Sequence, residues 1–140
     1  MIIIKYFFFF DKYDIIYVEV FDMDIIDRKL DSLSKSKFRS SFKLKDKDKK
    51  YIYDKGIDKI REHAYDFVNK RLSSEVILND GKQTPMKGHP VFIAQHATAT
   101  CCRGCLYKWH GIKNNKELTK NEIDYIVDII MRWIFINLGK

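Results

Sequence analysis

Between His96 and His110 the chain reads HATATCCRGCLYKWH, which sets three cysteines and two histidines within fifteen residues. Thiolate and imidazole are the donors that zinc prefers. Cys102 and Cys105 form a C-x-x-C pair, a spacing that clasps zinc from a turn, and Cys101 has equally workable geometry toward Cys105. The remaining histidines of the chain are His63 and His89. The expected site is a structural zinc held by Cys105, by Cys102 or Cys101, and by two of His63, His89, His96 and His110. The spacing departs from standard fingers, because neither a second C-x-x-C nor an H-x3–5-H is present.

Other chemistries use the same residues. Cys102-Arg103-Gly104-Cys105 reads as a dithiol whose thiolate Arg103 and a helix N-terminus would favour, although no strand precedes it as in thioredoxin-like settings. A cysteine nucleophile with His96 or His110 as base lacks an identifiable orienting carboxylate. The bland reading is that small thiols are simply buried in a core. The enzymatic alternative is a hydrolase-like zinc site with an open position, or a thiol-dependent enzyme, in which the NDGKQTP loop with Lys82 and Arg103 binds an anionic substrate.

Helix geometry decides which donors can meet. At about 100° per residue an unbroken helix over residues 90–109 places His89, His96, Arg103 and His110 along one stripe and Cys101 and Cys105 nearly opposite. The cysteines and histidines then share no metal unless His63 or another segment contributes. A break near residues 97–100, where Thr98 and Thr100 offer capping hydroxyls, removes that restriction.

The formal charge of +7 is unevenly spread over the 140 residues. Residues 1–34 hold four basic and seven acidic side chains, whereas residues 35–55 hold nine basic and three acidic ones. Lys35, Lys37, Arg39 and Lys43 lead this stretch, which is the electrostatic footprint of a nucleic-acid or other anion-binding surface as well as of an ordinary solvated face. Three cysteines are too few and odd in number for a secreted disulfide scaffold, so a reducing, cytoplasmic setting is expected.

The first residues, MIIIKYFFFF, are too short to span a membrane, are interrupted by Lys5, and lead into DKYD without a small-residue cleavage site. Residues 1–27 are an extension that reads either as a β-hairpin pairing 3–10 with 14–21 or as disordered. The bias toward Ile, Phe, Tyr and Lys also suits translated AT-rich non-coding sequence, and Met23 is an in-frame alternative start. A native product beginning at Met23 is the expectation, and an N-terminal peptide covering residues 6–20 would count against it.

Residues 28–138 carry the body, an all-α domain of four to five helices with one long polar loop. SKSKFRSSFKL sets Phe38 and Phe42 one turn apart for the core, with Lys35, Arg39 and Lys43 outward. DKDKKYIYDKG is a short helix closed by Gly56, and Ile57, Ile60, Ala64, Phe67 and Val68 or Leu72 form the apolar stripe of the next. SSEVILNDGKQTPMKGHP is the polar loop, with a turn at Asp80-Gly81. It is no phosphate-binding loop, because Val76 and Gln83 stand where that motif needs glycine and Ser or Thr. His89-Pro90 opens another helix, and Thr119 with Glu122 caps the last one, whose apolar face runs from Ile123 to Ile134.

The stretches SKFRSSFKL, NDGKQTPMKGHPVFIAQHATATCCRGCLYKWHGI and ELTKNEIDYIVDIIMRWI carry a resemblance over residues 28–133. They are similar to an uncharacterised, mainly bacterial family, domain of unknown function 4186. The resemblance implies a small cytoplasmic domain and no mechanism. Members of that family start near the SKFRSSF segment, which favours Met23, and the first 22 residues here depart from the family pattern.

Overall fold

The structure is a computed structural model describing the backbone of residues 12–140 and side chains from Met23 onward. Its described residues form α1 (Lys12–Ser34), α2 (Lys37–Ser40), α3 (Asp46–Lys55), α4 (Ile57–Arg71), α5 (Pro90–Ala97), α6 (Arg103–His110) and α7 (Lys120–Leu138), with no strand among them. The all-α expectation holds, with seven helices in place of four or five. Part of the excess comes from α1. Residues 14–21 are helical, and further along α1 Ile26, Leu30 and Leu33 pack with Ala99 and Ile129. Residues 3–10, the other half of the expected hairpin, lie outside the described residues.

The last helix organises the molecule. Ile126, Val127, Ile130 and Ile134 of α7 join Ile60, Ala64, Val68 and Leu72 of α4 and its cap, and Val91 and Ala94 of α5, in one buried cluster. Ile129, on another side of α7, faces the α1 cluster. Arg132 adds a two-pronged ion pair to Asp27, at 2.9 and 3.1 Å, between α7 and α1. Thr119 and Glu122 make the reciprocal cap that the sequence signals.

Between α3 and α4 the chain turns on one residue. Gly56 donates to the carbonyl of Ile52 at 2.8 Å and accepts from the amide of Ile60 at 3.1 Å. Its φ of 89° and ψ of 148° lie where only glycine is comfortable. Ile57, assigned to the core by periodicity, sits in the first turn of α4 and is 44% exposed.

The SKFRSSF segment also differs from its helical-wheel reading. α2 is one turn long and Phe42 falls beyond its end, yet the two rings still meet edge to face, 5.1 Å between centroids. Phe38 is 52% exposed, whereas Arg39 is only 9% exposed. Phe42 stacks on the His96 ring, 5.3 Å between centroids at 16°. The arginine turns inward because acceptors await it there.

α5 is enclosed along its whole length, every residue from Pro90 to Ala97 being buried. His89 caps it, its Nδ1 accepting from the amide of Val91 at 3.0 Å. Its Nε2 lies 2.9 Å from Nδ1 of His63. The acceptor role of His89 Nδ1 puts the proton on Nε2, which donates to His63. Burial, then the neighbouring His63, lowers the His89 pKa to about 4. His110 is likewise lowered to about 4, chiefly by burial and against the bond it gives to Thr98.

These two neutral rings set an acid limit. The unfolded imidazoles take protons near pH 6.5 and the folded ones near 4, so unfolding takes up protons between those values. Their contribution to stability is complete above about pH 6.5 and drains as pH falls through about 4. Denaturant midpoints measured from pH 7 to pH 5 at constant salt are expected to fall, with an unchanged m-value. A flat profile would contradict the assignment.

Candidate metal centre

The helix that the wheel treats as continuous is broken. α5 stops at Ala97, Thr98 caps it with its hydroxyl on the Ala94 carbonyl at 2.8 Å, and Ala99 takes a left-handed φ of 57°. The amide of Thr100 bonds the Gln95 carbonyl at 2.8 Å, and the Gln95 side chain donates to the Thr100 carbonyl at 3.1 Å. The chain then runs extended through Cys102, which is the N-cap of α6.

This turn brings all three thiols together. The Sγ atoms of Cys101, Cys102 and Cys105 lie within 4.8 Å of one another. Cys101 and Cys105 are 3.6 Å apart, and the Cys102 sulfur accepts from the amide of Cys105 at 3.4 Å. The choice between Cys101 and Cys102 therefore dissolves. All three are free thiols, and Cys101 and Cys102 are buried.

Arg39 closes the site from α2. Its Nη2 reaches the Cys105 sulfur at 3.1 Å, and Nη1 reaches Cys101 at 3.6 Å and the carbonyl of His96 at 2.8 Å. Burial works against this guanidinium, but its contacts with Cys101 and Cys105 outweigh that and hold its pKa above the ordinary value. Hydrogen bonds from Cys101 and Cys102, then Arg39, push the Cys105 thiol far below the usual thiol range against its burial. Cys101, the donor to its neighbours and the more buried thiol, is pushed up. The lowered Cys105 thiol and the arginine thus face each other, Nη2 to sulfur 3.1 Å.

The four histidines lie elsewhere. His96 Nε2 donates to the carbonyls of Thr84 and Pro85, each at 3.1 Å. His110 Nε2 donates to the Thr98 carbonyl at 2.8 Å, so its Nδ1 accepts from the Tyr125 hydroxyl, also at 2.8 Å. Burial pushes that Tyr125 hydroxyl up to about 12. His63 and His89 form their own pair. Among the described residues no histidine or carboxylate joins the three sulfurs in one donor group.

The anticipated anion-binding residues divide as well. Lys35, Lys37, Lys43 and Lys82 are exposed, whereas Arg39 and Arg103 are buried. Arg103 is 3% exposed and donates to four carbonyls, those of Leu72 and Ser74 at 2.9 Å and of Lys113 and Lys116 at 2.8 Å. These bonds tie the end of α4 to the segment after α6, and the side chain has no free face for a substrate.

Asp80 is the residue that sequence reasoning undervalued. Its carboxylate accepts from the amides of Arg103 and Gly104, both at 3.0 Å, and so fills the N-terminus of α6. Thr84 adds a bond from its hydroxyl to the Cys101 carbonyl at 2.8 Å. The polar loop is thereby fastened to the cysteine turn. The Asp80-Gly81 pair signals a turn, but nothing in the sequence names the distant amides it reaches. Asp80→Ala is expected to cost about 1–3 kcal/mol, the usual penalty for orphaning such donors. Hydrogen exchange should quicken at the amides of Arg103 and Gly104 and within residues 73–88; unchanged protection there would contradict the anchoring role.

Residues 27–135 match the family described as Domain of unknown function (DUF4186). The chain belongs to that family. The matched residues take in every helix from the latter part of α1 through most of α7, together with Arg39, Asp80 and the three cysteines. No solved structure matches the chain. The DUF4186 match begins within α1 and ends within α7.

Proposed function

We propose that the domain binds one metal ion, zinc, through Cys101, Cys102 and Cys105, and that the ion clasps the start of α6 to the turn after α5. The observation that carries this reading is the triangle of sulfurs beneath Arg39. Zinc–thiolate bonds of about 2.3 Å at tetrahedral angles need sulfurs about 3.8 Å apart. The separation of 3.6 Å for Cys101 and Cys105, and the 4.8 Å limit for the set, lie close to that requirement. Charge fits too. Three thiolates and a divalent ion sum to one negative charge, and Arg39 supplies one positive charge with N–H groups already directed at sulfur.

Protein purified without added metal is expected to carry about one zinc per chain. Cys101→Ser, Cys102→Ser and Cys105→Ser should each weaken its retention at least about tenfold, as loss of a direct ligand must. Chelation should lower the melting temperature without unfolding the α4–α5–α7 core, which does not include the cysteines. Metal-free protein whose melting ignores both zinc and chelator would end the proposal.

The exposed lysines support a second element of the reading, contact with nucleic acid. Lys35, Lys37, Lys45, Lys47 and Lys50 all lie exposed on or beside α2 and α3. Binding through them must weaken steeply as salt rises. Absence of oligonucleotide binding at low salt would remove it.

A further inference from the structure

A cleft of about 430 Å³ opens between α1, the α2–α3 link and the end of α7. Its size falls within the range of small-molecule sites. Two properties set it apart. Leu30, Phe42, Trp133 and Ile136 line it while each remains only half-buried, so apolar surface faces the cleft. Its charged side chains are all cationic, Arg39, Lys43, Lys49 and Lys140, with no Asp or Glu among the lining residues; the one anionic group at its edge is the main-chain carboxylate of Lys140, which meets Lys49.

Arg39 carries the argument further. A guanidinium has five N–H groups. Three contacts of Arg39 go to Cys101, Cys105 and the His96 carbonyl. Nε and one Nη2 hydrogen have no partner among the described residues, and Nε is not among the sealed, unbonded atoms, which are Gln95 Oε1 and Arg103 Nε. The same side chain that touches the sulfurs lines the cleft and keeps unpaired N–H groups. Lys49 donates to a carboxylate oxygen of the last residue, Lys140, and Lys43 makes no ion pair among the described residues.

We infer that this cleft binds a small organic anion, its carboxylate or phosphate held by Arg39, Lys43 and Lys49 and its aromatic or alkyl body lying on Leu30, Phe42, Trp133 and Ile136. A charged head on cationic donors and a flat body on apolar rings is the division of labour that such sites use. The inference does not depend on metal at the cysteines. Arg39 nevertheless joins the two sites, so an anion in the cleft draws on the same guanidinium that faces the sulfurs.

Calorimetric titration of the full chain with 1-naphthyl phosphate, 1-naphthoate, inorganic phosphate and 1-naphthol tests this, on zinc-loaded and chelator-treated protein alike. Saturable binding of at least one naphthyl anion is expected in both preparations. Inorganic phosphate and naphthol should each bind at least about tenfold more weakly than that anion, one lacking the body and the other the charge. The double variant Lys43→Gln with Lys49→Gln, on the surface and outside the core, should weaken the anion about tenfold or more with its melting temperature held. Equal binding of naphthol and the anions, no saturation up to about 1 mM, or an unaffected double variant would overturn the inference. So would a single-stranded oligonucleotide that displaces the naphthyl anion at one equivalent and binds more tightly, because the occupant would then be a nucleic acid strand.

Discussion

Arg103→Ala is expected to destabilise the protein by about 3–5 kcal/mol, the scale on which a buried charge's removal leaves its partners stranded. The guanidinium joins carbonyls from three places in the chain: Leu72 and Ser74 after α4, Lys113 after α6, and Lys116 before α7. Leu72 is the C-cap of α4, where the helix dipole already favours a cation. Truncation to alanine leaves four carbonyl oxygens facing a void that water can fill only in part. At about 2–4 °C per kcal/mol for a chain of this size, the melting temperature should fall by about 10 °C or more. Arg103→Lys should fall between wild type and alanine, because an ammonium keeps the charge but presents three donors from one point instead of a planar fork. Thermal melting of the three proteins checks the order. An alanine variant within about 3 °C of wild type would mean that these carbonyls find other partners.

Arg103 also marks where sequence reasoning stops. Within CCRGC it reads as an activating cation for a neighbouring thiolate or as a substrate anchor, because its nearest neighbours in sequence are the cysteines. Its actual acceptors are main-chain carbonyls, which every residue possesses and no side-chain pattern advertises. The same limit hides the role of Asp80, whose partners are backbone amides. Where the pattern itself carries the physics, the reading succeeds: the Ile126, Val127, Ile130 and Ile134 face of α7, the Ile60, Ala64 and Val68 stripe of α4, and the Thr119–Glu122 cap are all visible as spacing. The break after α5 is a middle case. Thr98 advertises a cap, but the left-handed residue is Ala99, a type that ordinarily avoids that region. Its methyl group is fully buried in the cluster with Ile26, Leu33 and Ile129, which holds the chain there.

The histidines follow from the same reasoning. A histidine near cysteines in sequence is an attractive donor, yet an imidazole placed among buried carbonyls finds hydrogen bonds sooner than a metal. His96 and His110 each donate Nε2–H to main-chain oxygen, and that bond turns the ring away from the sulfurs. What survives of the ligand set is the part whose members are close in sequence. Cys101, Cys102 and Cys105 need only a local turn to converge, and the residue that completes their surroundings, Arg39, comes from 62 positions before Cys101.

Arg39→Met is therefore expected to be the most informative change at the proposed metal centre. Methionine keeps much of the stem's apolar packing but removes the charge and every N–H. A zinc tris-thiolate would then hold its net negative charge without a counter-ion, and the sulfurs of Cys101 and Cys105 would lose their donors. Groups that hydrogen-bond metal ligands without touching the metal commonly change affinity 10–100-fold, and about that loss is expected in competition against a chromogenic chelator. Arg39→Lys should recover only part of it, because one ammonium cannot reach both sulfurs and the His96 carbonyl in the planar arrangement seen here. Circular dichroism at each step separates a folded protein with a weakened site from one that has lost its structure. Folded Arg39→Met protein that holds zinc as tightly as wild type would show that the guanidinium is a neighbour of the centre and not part of its electrostatics. Folded protein that releases zinc at chelator concentrations the wild type withstands would assign the buried arginine of α2 to the three cysteines at the start of α6 and in the turn before it.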